Sequence, residues 1–288
     1  MSTAAVSSKL RDPRSRLGHN AYLRIGGALT AAVLLVAVLG LIWTPYAPSA
    51  VDLLHRSAPP AAGHLFGTDQ YGRDVLSRIM AGAWRSVSLG LAATALAAAV
   101  GVPLGLAGAY WRGWLDTLMM RVIDALLSIP SLIFALLIVA GLGTGHAQAI
   151  VALGIAAAPR FTRVVRGAAI NAAEQDYVTA ARARGETTLY IQYREILPNV
   201  WPPIVVEASI FAGFALMGGA ALSFLGLGTQ PPAADWGVMV RDAQRYVSQS
   251  WSPLVAPAAT ISLAIVGFNL LGEGLRDRLQ LSERPADE

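Results

Sequence analysis

The sequence predicts an all-α integral membrane protein of six transmembrane helices, with the N- and C-termini cytoplasmic. Three observations predict it. Only 14% of the 288 residues are charged and 55% are hydrophobic, where a soluble domain carries about 25% charged residues. Uncharged stretches long enough to cross a bilayer, about 20 residues each, recur along the chain. Lys and Arg gather on alternate connections, as orientation in a membrane requires. The absence of cysteine excludes a disulfide framework and a thiolate metal site. Lys9, within Ser-Ser-Lys-Leu, is the one lysine, which excludes a P-loop in this chain.

Residues 1–24 are expected to form a cytoplasmic tail, and 25–43 the first span. Its apolar run exceeds the 7–15 residues of a signal sequence, so it reads as an uncleaved anchor. An outer segment at 44–85 precedes the second span at 86–111. The uncharged stretch from Ala125 to Pro159 is too long for one crossing. The turn-forming Gly141-Leu-Gly-Thr-Gly-His-Ala-Gln148 divides it into a third span at 117–141 and a fourth at 147–167. Arg160, Arg163 and Arg166 interrupt the end of the fourth, making it the weakest of the set. A cytoplasmic loop at 168–200 leads to the fifth span at 201–228, an outer segment at 229–250, the sixth span at 251–273 and a tail at 274–288. With the N-terminus inside, 16 of the 22 Lys and Arg are cytoplasmic. That distribution accounts for the isoelectric point of about 9.7 by contact with anionic lipid rather than nucleic acid.

Ionisable groups are absent from the middles of these spans, which argues against an ion-coupled carrier. Asp116, Asp124, Glu207 and Glu273 fall at span ends, where anchoring explains them. Asp69 and Asp74 share a polar loop that offers no nucleophile. The four histidines lack the spacing of a helical metal site. Gly90, Gly101, Gly105 and Gly108 lie along one side of the second span, and Gly213, Gly218 and Gly219 mark the fifth. Small residues let helices approach closely in lipid, within one chain or across a dimer seam. Pro103 and Pro130 are expected to kink their helices. Ser223, Asn269 and Gln148 are polar side chains able either to meet a solute or to bond a neighbouring helix.

The cytoplasmic loop has its own order. Asp176 is placed to cap a helix over 176–184, and Gly185 follows as a C-terminal glycine would. Thr187 or Thr188 then caps a second helix, in which Leu189, Tyr193, Ile196 and Leu197 form an apolar stripe before Pro198 ends it. Either the chain's own inner surface or a partner must cover that stripe.

The run Thr179-Ala180-Ala181, Gly185-Glu186, then Glu195-Ile-Leu197-Pro198 resembles the Glu-Ala-Ala loop of bacterial ABC importer permeases. Thr179 stands where that family has Glu, and Glu195 where it has the first Ile. Two further stretches are similar to the "C" subunit branch of the dipeptide, oligopeptide and nickel permeases. One is His64-Leu-Phe-Gly-Thr-Asp-Gln-Tyr-Gly-Arg-Asp-Val-Leu-Ser-Arg78, which includes Gly67, Thr68, Asp69, Gly72, Arg73 and Asp74. The other is Leu222-Ser-Phe-Leu-Gly-Leu-Gly-Thr-Gln-Pro-Pro232 with Asp235-Trp-Gly-Val-Met239.

The resemblance implies a type I importer permease fold with a core at about 84–279. It also implies a non-catalytic subunit of a di- or oligopeptide importer, in which the loop, including Leu189 and Tyr193, docks on an ATPase. The implied partners are a homologous permease, two ATPase domains or one fused ATPase, and an extracytoplasmic peptide-binding protein. ATP and Mg²⁺ would be bound by those partners, and this chain would hold no cofactor. A nickel, glutathione or other small-solute importer of the same family, and a stand-alone secondary carrier, remain as alternatives.

Overall fold

The computed structural model describes residues 13–282, with side chains over 21–279; the ends of both terminal tails lie outside these residues. The chain is helical throughout its spans. Helix α1 (Pro13–Ile42) leads through an outer loop into α2 (Val75–Trp111). Next come α3 (Trp114–Leu127), α4 (Ser131–Leu142) and α5 (His146–Ala173). The short α6 (Asp176–Ala183) precedes α7 (Thr188–Phe224), then α8 (Trp236–Ala243) and α9 (Ser252–Ser282). Helices α1, α2, α5, α7 and α9 are each long and apolar enough to cross a membrane.

The third crossing is different. Helices α3 and α4 qualify only as a pair, bent by 92°. Ser128 ends α3, and Pro130, which lacks the amide needed to continue a helix, starts α4. The weak point therefore lies in the third span, whereas α5 runs unbroken past all three of its arginines. Each arginine meets an acid from another element: Arg160 pairs with Glu207 of α7, Arg163 with Asp124 of α3, and Arg166 grips Asp116 of α3 through Nε at 2.6 Å. Pairing removes the reason for the helix to stop.

Close packing centres on α2 and α5, with glycine as the means. A Cβ at Gly105 would stand 2.7 Å from Val165 Cβ and 2.8 Å from the Thr162 carbonyl. Gly101 faces Phe161 and Thr162 in the same way, and Gly108 faces Asp116. On α7, Gly218 rests against Leu153 of α5 and Gly213 against Phe268 of α9. These small faces are thus filled within the chain and are not free to form a dimer seam. Helix α1 pairs with α9, where Gly26 lies against Leu270 and Gly274 against Leu23.

Helices α1 and α9 extend into the expected tails, starting at Pro13 and ending at Ser282, and two further boundaries move. Helix α2 begins at Val75, above the expected 86, because the Asp74 carboxylate caps it. Helix α7 begins at Thr188 and passes through Pro198, which the sequence marks as a stop. A π turn at Ile191–Ile196 carries it through: Leu197 N–H donates to Gln192 O, and the widened turn leaves Pro198 no amide to supply.

Gly105→Leu is expected to destabilise the α2–α5 seam by roughly 1–3 kcal/mol, seen as a lower thermal midpoint in detergent. Gly27→Leu, whose Cβ would meet nothing within 4 Å, should leave the midpoint unchanged.

Candidate functional site

One end of the bundle, where the sequence places the cytoplasmic loop, carries a hairpin. Helix α6 starts with Asp176 as its first helical residue. Gln175, not Asp176, holds the cap position, and the acid instead faces the positive end of the helix from within the first turn. The elbow is a Schellman motif: Glu186 N–H donates to Ala181 O at 3.2 Å and Gly185 N–H to Arg182 O at 3.0 Å. Gly185 has φ +79°, in the left-handed region, and a Cβ there would meet open space. Thr187 Oγ1 accepts from Tyr190 N–H and so caps α7. Glu195, one of the two departures from the family pattern, reaches Arg184 at 3.2 Å and ties the arms of the hairpin together.

The apolar stripe is divided between the two possible covers. Ile191 and Ile196 are buried with Val178 and Ala181 against Leu106 and Ala109 of α2 and Val165 and Ala169 of α5. Arg182 lies over the Tyr110 ring, 5.1 Å from its centroid. Burial and the nearby Glu195 carboxylate push the Tyr177 phenol above its usual pKa. Leu197 is half-buried, while Leu189 and Tyr193 are 67% and 42% exposed. Thr179, Ala180 and Pro198 are also exposed. The hairpin is therefore seated on its own bundle by one face and offers Leu189, Tyr190 and Tyr193 on the other.

The outer motif forms a compact loop. Gly67 and Gly72 have φ +71° and +75°, and a side chain at either would strike a backbone carbonyl, of Ala58 and Asp52 respectively. The Thr68 hydroxyl donates to His55 O and accepts from Ala58 N–H. Asp69 accepts from the amides of Tyr71 and Arg73 at 2.8 and 3.0 Å and from Arg73 Nε at 2.7 Å. Asp74 accepts from both the amide and hydroxyl of Ser77 at 2.7 Å, and its other oxygen lies 2.9 Å from His64 Nδ1. These residues shape and brace the loop. The second outer segment locks onto α2: Trp236 Nε1–H donates to Ile79 O at 2.9 Å, and Asp235 caps α8. Ser223, a possible solute contact in the sequence, is buried and accepts from Thr229 N–H.

Residues 101–284 match the family described as the binding-protein-dependent transport system inner membrane component. The chain belongs to that family. Among relatives of this inner-membrane transport component, a Brucella suis chain named as a peptide transport system permease protein is 41% identical. That alignment covers 92% of this chain and 89% of the relative. A glutathione transport system permease protein of Escherichia coli is 38% identical, over 90% of this chain and 86% of its own length. In fold, the component is similar to a chain of the MetNI methionine ABC transporter in an inward-facing conformation. The TM-score is 0.57 at 20% identity, covering 71% of this chain and 95% of that one.

The family match covers the inner hairpin but not the outer loop, which lies before residue 101. Two features escaped sequence reasoning: the pairing of the α5 arginines and the π turn. Three arginines at three-residue spacing, with acids available on neighbouring spans, were the visible sign of the first. A proline just past an apolar helical stripe was an ambiguous sign of the second. Replacing Gly185 by Leu should cost about 1–2 kcal/mol of left-handed strain. In hydrogen exchange the Glu186 amide should lose protection, while the amides of α2 and α5 keep theirs.

Proposed function

We propose that this chain is the permease subunit of an ATP-driven importer of di- and oligopeptides. In this reading it pairs with a homologous permease to enclose the path and receives solute from an extracytoplasmic binding protein. Its hairpin rests on cytoplasmic ATPase subunits, which bind the ATP and Mg²⁺. The single observation that carries the coupling role is the divided stripe: Ile191 and Ile196 anchor the hairpin to the bundle while Leu189 and Tyr193 stand exposed.

An exposed apolar contact on a capped elbow transmits force only if the elbow is continuous with a span. Here it is, because α7 runs without interruption from Thr188 into the membrane. Movement of the ATPases would displace the 176–196 hairpin and pass directly into α7, and through the Arg182–Tyr110 contact into α2. The excess of Lys and Arg on the hairpin side supports its cytoplasmic placement and that of both termini. Peptide cargo is supported by the Brucella relative's name; glutathione, carried by the Escherichia coli relative's system, is itself a tripeptide. The secondary-carrier alternative loses ground to family membership.

The paired substitution Leu189→Asp and Tyr193→Asp changes exposed residues only, so the chain should accumulate in the membrane normally. Co-purification of the ATPase should fall to background, and uptake of a labelled dipeptide should fall with it. Normal uptake by that variant would overturn the coupling role. Nickel uptake in place of dipeptide uptake by the wild type would keep the mechanism and change the cargo.

A further inference from the structure

Arg160 lies midway along α5, far from either end of the helix. The sequence read it as part of an interrupted span end, whereas the helix continues through it for a further thirteen residues. Helices α2, α3, α4 and α7 surround α5 and leave only a narrow open strip containing Ile155, Arg160, Arg163 and Gly167. A charge facing hydrocarbon at such a position costs roughly 2.5–3.5 kcal/mol on insertion scales. An arginine near a helix end escapes by extending to the headgroups. Arg160 is held back: its Nε pairs with Glu207 Oε1, and its Nη2 lies 3.4 Å from Oε2.

The two partners differ in exposure. The Arg160 side chain is 46% exposed and that of Glu207 only 8%. The guanidinium also lies 5.8 Å from the centroid of Phe214, itself open on the same side of α7. With a buried carboxylate on one side and an aromatic ring beside it, the half-open guanidinium has no hydrogen bond at Nη1 among the described residues. Beside the hairpin, a cleft of about 830 Å³ is lined by Asn171, Gln175, Tyr177, Asn199, Arg276 and Glu207, so that Glu207 joins the cleft to Arg160, which lies outside its lining. That volume lies within the about 300–1,000 Å³ typical of small-molecule sites.

We propose that Arg160, positioned by Glu207 and Phe214, is a transit site for the α-carboxylate of the transported peptide. The inference rests on the peptide-importer reading above. Side chains vary among peptides, whereas a terminal carboxylate is shared, and a guanidinium fork reads it by paired hydrogen bonds. One such contact on the open strip selects peptides as a class without selecting their side chains. Glu207 is a positioning residue: it fixes the guanidinium and offsets its charge when the path is empty.

The test uses the complete transporter, with partner subunits and binding protein, in proteoliposomes. Initial uptake of a tripeptide and of its C-terminal amide is compared for wild type, Arg160→Lys and the double variant Arg160→Gln/Glu207→Gln. The double variant avoids leaving a buried carboxylate alone. Free-acid uptake should drop about tenfold or more in the double variant, the scale of a lost charged hydrogen bond. The acid-to-amide ratio should fall towards one, and Arg160→Lys should recover part of it. Equal loss for acid and amide would overturn the proposal, since the pair would then be scaffold or subunit contact only. A tripeptide with a photoreactive C-terminal residue should label wild-type residues 155–217. Labelling confined elsewhere in a wild type that transports peptide would also overturn it. A wild type that transports no peptide defeats the importer reading itself, a failure seen without any variant.

Discussion

In a bilayer no hydrophobic force draws one apolar helix to another, because lipid chains are as apolar as leucine. The bundle must be held by contact, and contact requires close approach. The meeting of α2 with α5 supplies it through Gly101 and Gly105, where a single methyl group would strike the opposite helix, and Gly108 does the same against α3. The other features depend on that seam. It fixes α5 at the centre, brings Arg166 within reach of Asp116 and builds the floor of Leu106, Ala109, Val165 and Ala169 on which the hairpin sits.

Much of this was legible in the residue order because its causes are local. Apolar windows follow from bilayer thickness, and the Gly185 elbow follows from one residue's freedom to adopt positive φ. The features that were not legible depend on distant partners. Arg160, Arg163 and Arg166 look like the end of a span until acids from α3 and α7 are seen beside them. Asp74 looks like a loop carboxylate until its cap extends α2 upward by several turns. Pro198 is a stop signal by its own chemistry, and only the π turn before it makes the helix continuous. The bend at Pro130 was anticipated in kind, yet its 92° size depends on how α3 and α4 lie on α5.

Inner and outer motifs use similar residues for different ends. In the outer loop, carboxylates are consumed by backbone amides and by Arg73, so the chain closes on itself. At the inner hairpin, one pair of arms is tied by Arg184 and Glu195, while Leu189 and Tyr193 stand exposed among the described residues. That exposed pair is the surface on which the proposed coupling role rests. Midway between them, the Arg160–Glu207 pair is the one place on the open strip of α5 where a guanidinium is braced by a buried carboxylate.

Helix α2 touches both ends of the molecule. Its outer turn receives Trp236 at Ile79, and its last turn carries Tyr110 beneath Arg182 of the hairpin. Its 37 residues make a rod about 55 Å long. On such a rod, a tilt of about 1° about one end displaces the other by about 1 Å. Pro103, expected to kink this helix, lies within it without ending it, so the two ends of the bundle are joined by one helix, and a rearrangement too small to break any contact at one end is a van der Waals-sized step at the other.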